Sequence, residues 1–394
     1  MVIETKIGYM PPEDPMEPSR LMRSGNVEIT QSAKTWQQLS YQYRVPVNEI
    51  QCIDLNRSGI WLPNDEIRVS YRARFIATTD FEEKTSTWFA LPVRGEGDTY
   101  FSASNGYLRF QDQAFASIEQ IYLDTCDVSY QRGPRLLNLN SRSRGNCGGC
   151  TACVHNYKDL YDTTVLKDQQ RLVTRNDIEA FFDQKEADGL DIASLQQIAV
   201  VTGLFGNETA VVTHMRTIAE TVGPKGFAGE LMYFGCEVNS EEALKQLSQL
   251  GQFALIYAID NFTKRKELLV KRKASISINT AKDTLDRACK CGIAATFAYI
   301  AGIDSLPAME QGFNALKDSI NRFPVVNIFQ VQTPGQLSAM DLEAKQLEYY
   351  VRARKSIEAI LAETGLKPRR WENYRPLWYA LYNNQPLPAD TFGD

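Results

Sequence analysis

From residue 135 onward the chain alternates short apolar runs with amphipathic stretches. Apolar runs at 135–140, 197–201, 231–234, 253–257, 294–300 and 325–331 are each too short for a helix and too continuous for a half-exposed strand. They read as strands buried on both faces. Between them lie stretches with helical spacing. Residues 176–186 place Ile178, Phe181 and Phe182 on one face, and 240–250 and 281–289 repeat the pattern. Gly251 and Gly292 stand where helix C-caps belong. Six buried strands alternating with helices predict an α/β fold, a parallel sheet with right-handed crossovers that forms a full or partial (β/α)6 barrel. In such folds the chemistry gathers at the carboxyl ends of the strands.

The N-terminal third has a different pattern. Residues 1–26 are rich in Pro and Met and read as an irregular arm. Residues 27–30 read as a strand. A helix follows at 36–43, capped by Ser32 or Thr35, and a second short helix at 47–53. The turn at 62–65 leads into a strand at 66–70. From 72 to 130, strand-like runs such as 87–93 and 107–110 alternate with polar turns. The organisation expected is an arm (1–26), a small β-α-α-β domain (27–72), a β-rich region (73–134), the barrel (135–340) and a C-terminal helical and aromatic extension (341–394). This makes a smaller N-terminal α+β region beside the barrel. No Pro/Ser/Gly-rich linker separates residue 70 from the first barrel strand, so residues 27–130 are expected to pack against the barrel and shape access to it. The tail at 369–379 is dense in arginine and aromatics, which suits either a cover for one barrel end or a subunit interface; the sequence leaves the oligomeric state open.

Composition narrows the function. A net charge of −5 argues against gripping a nucleic-acid backbone. No apolar run is long enough to span a bilayer, and the N-terminus lacks a signal-peptide pattern, so a cytoplasmic location is the default expectation. With two histidines in the chain, His155 and His214, multi-histidine metal sites and Ser-His-Asp machinery are disfavoured. Eight cysteines in 394 residues do not make a disulfide scaffold. Three of them, Cys147, Cys150 and Cys153, fall in one loop directly after the first predicted barrel strand, with two glycines between the first pair. Three thiolates at that spacing suit a [4Fe–4S] cluster with one iron left open for a substrate or cofactor. With His155 as a fourth ligand, the same loop could instead close a structural zinc site.

These features together resemble the radical S-adenosylmethionine (radical SAM) superfamily, and within it the biotin-synthase-like branch, over about residues 135–340. The parts occur in the family's order: the three-cysteine loop, then Thr202-Gly203-Leu204-Phe205-Gly206-Asn207-Glu208 after the second strand, Asp260 at the end of the fourth, Tyr299-Ile300-Ala301-Gly302 on the fifth, and Gln332-Thr333-Pro334-Gly335 after the sixth. The resemblance implies that Cys147, Cys150 and Cys153 hold the cluster. It implies that Thr202, Gly203 and Glu208 meet the methionine part of S-adenosylmethionine, Asp260 its ribose, and Ile300 and Gly302 its adenine. It also implies a small-molecule substrate, or a peptide as the alternative, and an electron donor such as flavodoxin or ferredoxin. Two departures stand out. The family's usual C-x3-C-x2-C is one residue shorter here, and Ala152 occupies a position that is usually aromatic, where Tyr157 or His155 could compensate. Residues 27–70 are similar to a LysM module on Thr35, Trp36, Leu39, Tyr43, Val45, Val47, Ile50, Asn56 and the 62–65 turn. With zinc in the cysteine loop, that likeness would describe a non-enzymatic glycan-binding or adaptor protein.

Other residues have two readings each. Cys236, Cys289 and Cys291 either bind a second cluster or pack as small hydrophobes. The strands at 197–201 and 294–300 hold no cysteine, which disfavours sulfur insertion. Cys52 and Cys126 are expected to pack in the N-terminal region. His214 is expected as a partly exposed helix residue, with a substrate contact as the alternative. The basic runs 264–266 and 271–273 read as solvated faces or as a site for an anionic substrate.

Overall fold

A computed structural model of the chain describes residues 33–62, 72–79, 85–111, 113–123, 128–132, 135–141, 149–153, 172–201, 205–369 and 372–387. The strands expected at 27–30 and 66–70, the arm at 1–26, Cys126, Cys147, His155, Tyr157, Thr202 and Gly203 lie outside them.

The six expected barrel strands are present: β8 (Leu136–Leu139), β9 (Gln197–Val200), β10 (Glu230–Gly235), β11 (Phe253–Asp260), β12 (Ala294–Ala301) and β13 (Val325–Ile328). They pair in sequence order, all parallel. A short strand, β7 (Ser129–Gln131), adds to β8 in the antiparallel sense. The sheet does not close on itself, so the fold is the partial form of the expected α/β barrel. Strands in sequential order joined by right-handed crossovers keep their helices on one face. Ile198, Val200, Tyr233, Leu255, Tyr257 and Phe297 point to that face. They form one core with helix residues Ile178, Phe181, Val211, Met215, Leu244, Leu285 and Phe313.

Local chemistry accounts for the helix starts. Thr174 caps Arg175–Ala187 with a capping box, and Asn207, Ser240 and Ser277 each accept an N–H three residues on. Ser277 begins its helix at Ile278, three residues ahead of the expected start. Gly292 follows that helix with φ +78°, the left-handed geometry of a helix stop. The last strand ends at Ile328, not residue 331. Beyond it the chain turns away, and the Gln330 amide donates to the carbonyls of Asn56 (2.9 Å) and Ala90 (2.7 Å).

Those two bonds mark where the N-terminal region docks. It comprises α1 (Trp36–Tyr43), α2 (Val47–Ser58), the two-residue β1 (Ile60–Trp61) and β2 to β6 between Arg72 and Leu123; β1 to β6 form a closed barrel. Thr35, one of the two expected caps, makes a capping box with Gln38. The stretches 27–72 and 73–134, read separately from sequence, share this barrel through β1, which pairs with Val93, Arg94 and Ser102. Arg94 donates to the Val331 carbonyl at 2.6 Å, and Arg57 to that of Lys345 at 3.1 Å. The described residues between 33 and 123 are thus fastened to the segment that leaves the carboxyl end of β13, as expected for a packed and not a tethered region.

The C-terminal tail covers the free edge of β13: Ile328 N–H donates to the Arg375 carbonyl, and Arg375 N–H to Asn327 Oδ1, each at 2.8 Å. At the amino edge of the sheet, Arg322 is buried between Glu230 and Glu372, and Gln197 also donates to Glu230. Burial alone would raise the Glu230 pKa, but the Arg322 hydrogen bonds and charge hold it below the usual carboxylate value. A depressed folded-state pKa gives stability that is present above the unfolded value of about 4.3 and is lost as pH falls through the folded one. Urea unfolding should therefore show wild-type stability falling with acidification below about pH 4. Glu230→Gln should be less stable at neutral pH and less sensitive to acid. Parallel pH profiles for the two proteins would exclude this role.

Candidate active site

The site is assembled from segments that leave the carboxyl ends of the strands. After β8 comes the cysteine turn, in which Cys153 N–H donates to the Cys150 carbonyl at 2.9 Å. Two distant elements lock it. Gln336, in the helix Pro334–Ala339, donates its amide to the carbonyls of Thr151 (3.1 Å) and Cys153 (3.0 Å). Val270 N–H points at Cys150 Sγ, 3.3 Å away. Burial pushes the Cys150 thiol up to about 11, with the Lys273 ammonium and the Val270 N–H offsetting part of the rise. An isolated thiol there stays protonated at neutral pH, so a metal is what would ionise it. Among the described residues no three metal-binding side chains come together; the third expected ligand, Cys147, lies outside them.

After β9 comes the turn that ends in Phe205, Gly206 and the cap Asn207. Glu208, expected to bind cofactor, commits one carboxylate oxygen to the chain, accepting N–H from Asn239 (3.1 Å) and Ser240 (3.0 Å). Burial favours its neutral form, but these N–H groups outweigh that and keep its pKa below normal. The structure so ties the β9 turn to the segment after β10. His214 corrects the expectation of a partly exposed residue: it is buried and its ring lies 5.1 Å from that of Phe205.

After β11 comes the least anticipated part. Asp260 sits at a bulge with left-handed backbone, φ +66°, and its carboxylate pairs with Lys273 at 2.8 Å. Residues 261–276 form a strap with two short helices, Arg265–Leu268 and Lys271–Ala274. Asp304, buried after β12, accepts the N–H groups of Phe262 and Thr263 and anchors the strap's start. The basic runs are in part the solvated face expected, with Lys266, Lys271 and Arg272 exposed, but several of their side chains also bond to the chain. Arg265 donates to the carbonyls of Ile259, Asn261 and Lys273, Arg272 to those of Phe205 (2.5 Å) and Gly206 (2.6 Å), and Lys264 to that of Ala339. They are internal ties that hold the strap across the cysteine turn and the β9 turn. Lys273 is the pivot: burial disfavours its charge, but Asp260 and the nearby thiols Cys150 and Cys236 favour it more, so its pKa is raised.

Ile300 and Gly302 end the β12 strand. Ile300 is half-buried and in register with Asn327. Gly302 has φ +116°, and a Cβ there would lie 2.7 Å from Tyr350 Oη and 3.1 Å from Phe329 Cβ. Its smallness is explained by packing against the helix Leu347–Ile360. Gly302→Ala should cost about 2–4 kcal/mol by combining left-handed strain with overpacking; an unchanged urea midpoint would refute this. Cys289 and Cys291 precede β12 whereas Cys236 follows β10, so they stand at opposite edges of the sheet and do not converge. Cys52 is buried in the N-terminal core.

Sequence reasoning identified Cys150, Cys153 and Asp260, which the structure brings to one end of the sheet. It missed Lys273, Gln336 and the Val270 N–H. Only the lysine left a signal, as the last residue of a basic run that begins beside a strand-end acid.

The class defined by this arrangement is an α/β protein with a partial parallel barrel and a cysteine turn at the carboxyl edge of its first parallel strand. No protein-family model matches the chain, and no curated protein does. Among solved structures it is similar to SuiB of Streptococcus suis bound to S-adenosylmethionine (9% identity over 58% of this chain and 49% of that one, TM-score 0.37). It is also similar to the radical S-adenosylmethionine methyltransferase TsrM of Kitasatospora setae with cobalamin and a [4Fe–4S] cluster (11%, 48% and 34%, TM-score 0.34). A third is the radical SAM coproporphyrinogen III oxidase HemN of Escherichia coli (14%, 59% and 54%, TM-score 0.34). The chain thus matches between about a third and about half of the length of these proteins. No helix among the described residues is long and apolar enough to cross a membrane.

Proposed function

We propose that the chain is a radical SAM enzyme acting on a small organic substrate. The observation that carries this is the cysteine turn. It follows the first parallel strand, is clamped by Gln336, and has a backbone N–H directed at the Cys150 sulfur. N–H groups directed at ligand sulfurs are a feature by which proteins tune iron–sulfur clusters. When bound by Cys147, Cys150 and Cys153, a [4Fe–4S] cluster with S-adenosylmethionine supplies reductive cleavage of the sulfonium and a 5′-deoxyadenosyl radical that abstracts hydrogen from substrate.

The chain's own residues hold and shield. Gln336 fixes the turn that presents the thiols. The Lys273 ammonium supplies positive charge beside Cys150, which suits a thiolate-bound centre. Asp260, on the opposite side of that ion pair, can accept hydrogen bonds from ribose hydroxyls at the strand end. The strap covers the turn and limits water. A flavodoxin or ferredoxin is the class of electron donor this reading requires.

The test is anaerobic reconstitution with iron and sulfide, then dithionite and S-adenosylmethionine, with 5′-deoxyadenosine measured by chromatography. Iron with a reduced-cluster electron paramagnetic resonance signal and 5′-deoxyadenosine are expected. Equimolar zinc without iron would sink the reading. Asp260→Asn is the informative variant, since it keeps the shape beside Lys273 while removing the carboxylate's charge. It should weaken S-adenosylmethionine binding by about 1–3 kcal/mol.

A further inference from the structure

The strap over the cysteine turn is basic in an acidic protein. Residues 261–276 hold six basic side chains and one acid, Glu267, a charge of +5 in a chain whose net charge is −5. Among the described residues the strap's one ion pair is Lys273 with Asp260. The other bonds leave its charge in place. Lys264, Arg265 and Arg272 donate to main-chain carbonyls, which are neutral, and Lys266, Lys271 and Arg272 are exposed. Those same ties fix the strap across the turns beneath it, so the charges stand on a preformed surface.

The strap is one chain thick where it crosses the turn. Val270 N–H lies 3.3 Å from Cys150 Sγ, and the next residue, Lys271, is exposed. Consecutive Cα atoms are about 3.8 Å apart, so a partner resting on the backbone at Lys271 stands on the order of two residue lengths from that sulfur. The surface has an apolar member as well. Lys264 Nζ donates to the Ala339 carbonyl at 2.9 Å, which sets the start of the strap beside the segment 339–342. Asp341 N–H holds that segment on the Gly302 carbonyl, at the end of β12, at 2.9 Å. The next residue, Leu342, is 79% exposed, and the acid after it, Glu343, is paired with Arg352. An apolar anchor beside a charged rim is the make-up of a protein-binding face whose charges steer the partner in.

We propose that this face is the docking surface for a small acidic electron-carrier protein, with Lys266, Lys271 and Arg272 meeting its carboxylates and Leu342 its apolar contact. The proposal rests on the radical-enzyme reading in making the cysteine turn the electron's destination. That reading draws one electron per cleavage from outside the chain. On docking, one electron passes from the reduced carrier to the centre held by the turn; the carrier is oxidised by one electron, and no bond forms or breaks. Electron transfer falls off steeply with distance, so a donor belongs where the cover over a ligand sulfur is thinnest. A nucleic acid would draw on a long basic track, whereas here the charge is confined to one strap on an acidic chain.

The probes are a flavodoxin and a plant-type ferredoxin, both acidic, in their oxidised forms. Calorimetry measures their binding to the reconstituted chain at about 50 mM and about 300 mM salt. At least one should bind, and at least tenfold more weakly at the higher salt. Lys266→Glu with Lys271→Glu should weaken binding at least tenfold and Leu342→Ser at least threefold, with melting temperatures unchanged because these side chains are exposed. The control is Lys290→Glu with Lys367→Glu, at exposed cations in the last turn before β12 and beyond the last long helix, and it should bind as the wild type does. In the strap variant, 5′-deoxyadenosine formation driven by reduced carrier should fall at least tenfold, while formation driven by dithionite, which needs no docking, should keep the wild-type rate. No binding of either carrier, equal losses in the strap and control variants, an equal loss with dithionite, or tighter binding of heparin than of either carrier would overturn the proposal. Carrier binding that depends on Lys266 and Lys271 in a protein that forms no 5′-deoxyadenosine with dithionite would uphold the docking surface and remove only the enzymatic reading.

Discussion

After anaerobic reconstitution, a chain with Cys147, Cys150 and Cys153 all changed to alanine should hold no iron, against about four per chain in the wild type. The fold should survive. Cys150 and Cys153 belong to neither apolar core, while their neighbour Ala152 does. Removing the Cys150 sulfur leaves the Val270 N–H without its acceptor, a cost of about 1 kcal/mol. Clamping of the turn by Gln336 uses backbone carbonyls only, which alanine retains. Metal analysis with far-ultraviolet circular dichroism checks both halves. Iron retained by the triple variant would place the cluster elsewhere. Unfolding of the variant would mean the thiols are structural, as in a zinc site.

The strands were legible because burial on both faces removes polar residues from them. All eight residues of Phe253–Asp260 are buried, and the run reads as apolar until the acid at its end. Asp260 was singled out by the family resemblance, as the acid that ends the fourth strand. The cysteines were legible by spacing alone. What holds the site together was not legible, for a physical reason. Gln336 reaches Thr151 across 185 positions and Val270 reaches Cys150 across 120. A single amide or a backbone N–H leaves no period and no composition bias in the chain. The basic runs at 264–266 and 271–273 were read only in part, for a related cause: Lys266, Lys271 and Arg272 are exposed as expected, but the ties were not foreseen. Solvated faces, anion sites and carbonyl ties all use the same residue types, and only the geometry shows that Arg265 and Arg272 donate to main-chain oxygens. Glu208 illustrates the converse: its position in the chain is as the resemblance expects, and one of its carboxylate oxygens also ties two turns together through Asn239 and Ser240.

Glu49→Ala should destabilise the protein by about 3–5 kcal/mol, because it severs the N-terminal region from the C-terminal one. Glu49 lies in α2, wholly buried, and forms an ion pair with Arg354 of the helix Leu347–Ile360. It also accepts the N–H groups of Tyr379 (3.1 Å), Ala380 (2.6 Å) and Leu381 (2.9 Å). Arg354, 1% exposed, donates further to Glu358 and to the carbonyls of Leu377 and Leu381. Alanine at 49 would strand a buried guanidinium with one carboxylate instead of two and leave two buried amides and one half-buried amide without acceptors. Unpaired buried groups cost far more than the net worth of an intact pair. Glu49→Gln, which keeps an acceptor oxygen but not the charge, should fall between the two. Urea unfolding measures the loss, and limited proteolysis shows where it acts: the tail beyond residue 372 should become sensitive before the parallel strands do. A loss under about 1 kcal/mol, or cleavage that begins in the sheet, would mean that the two regions are joined by their apolar contacts and that this buried ion network is incidental to the join.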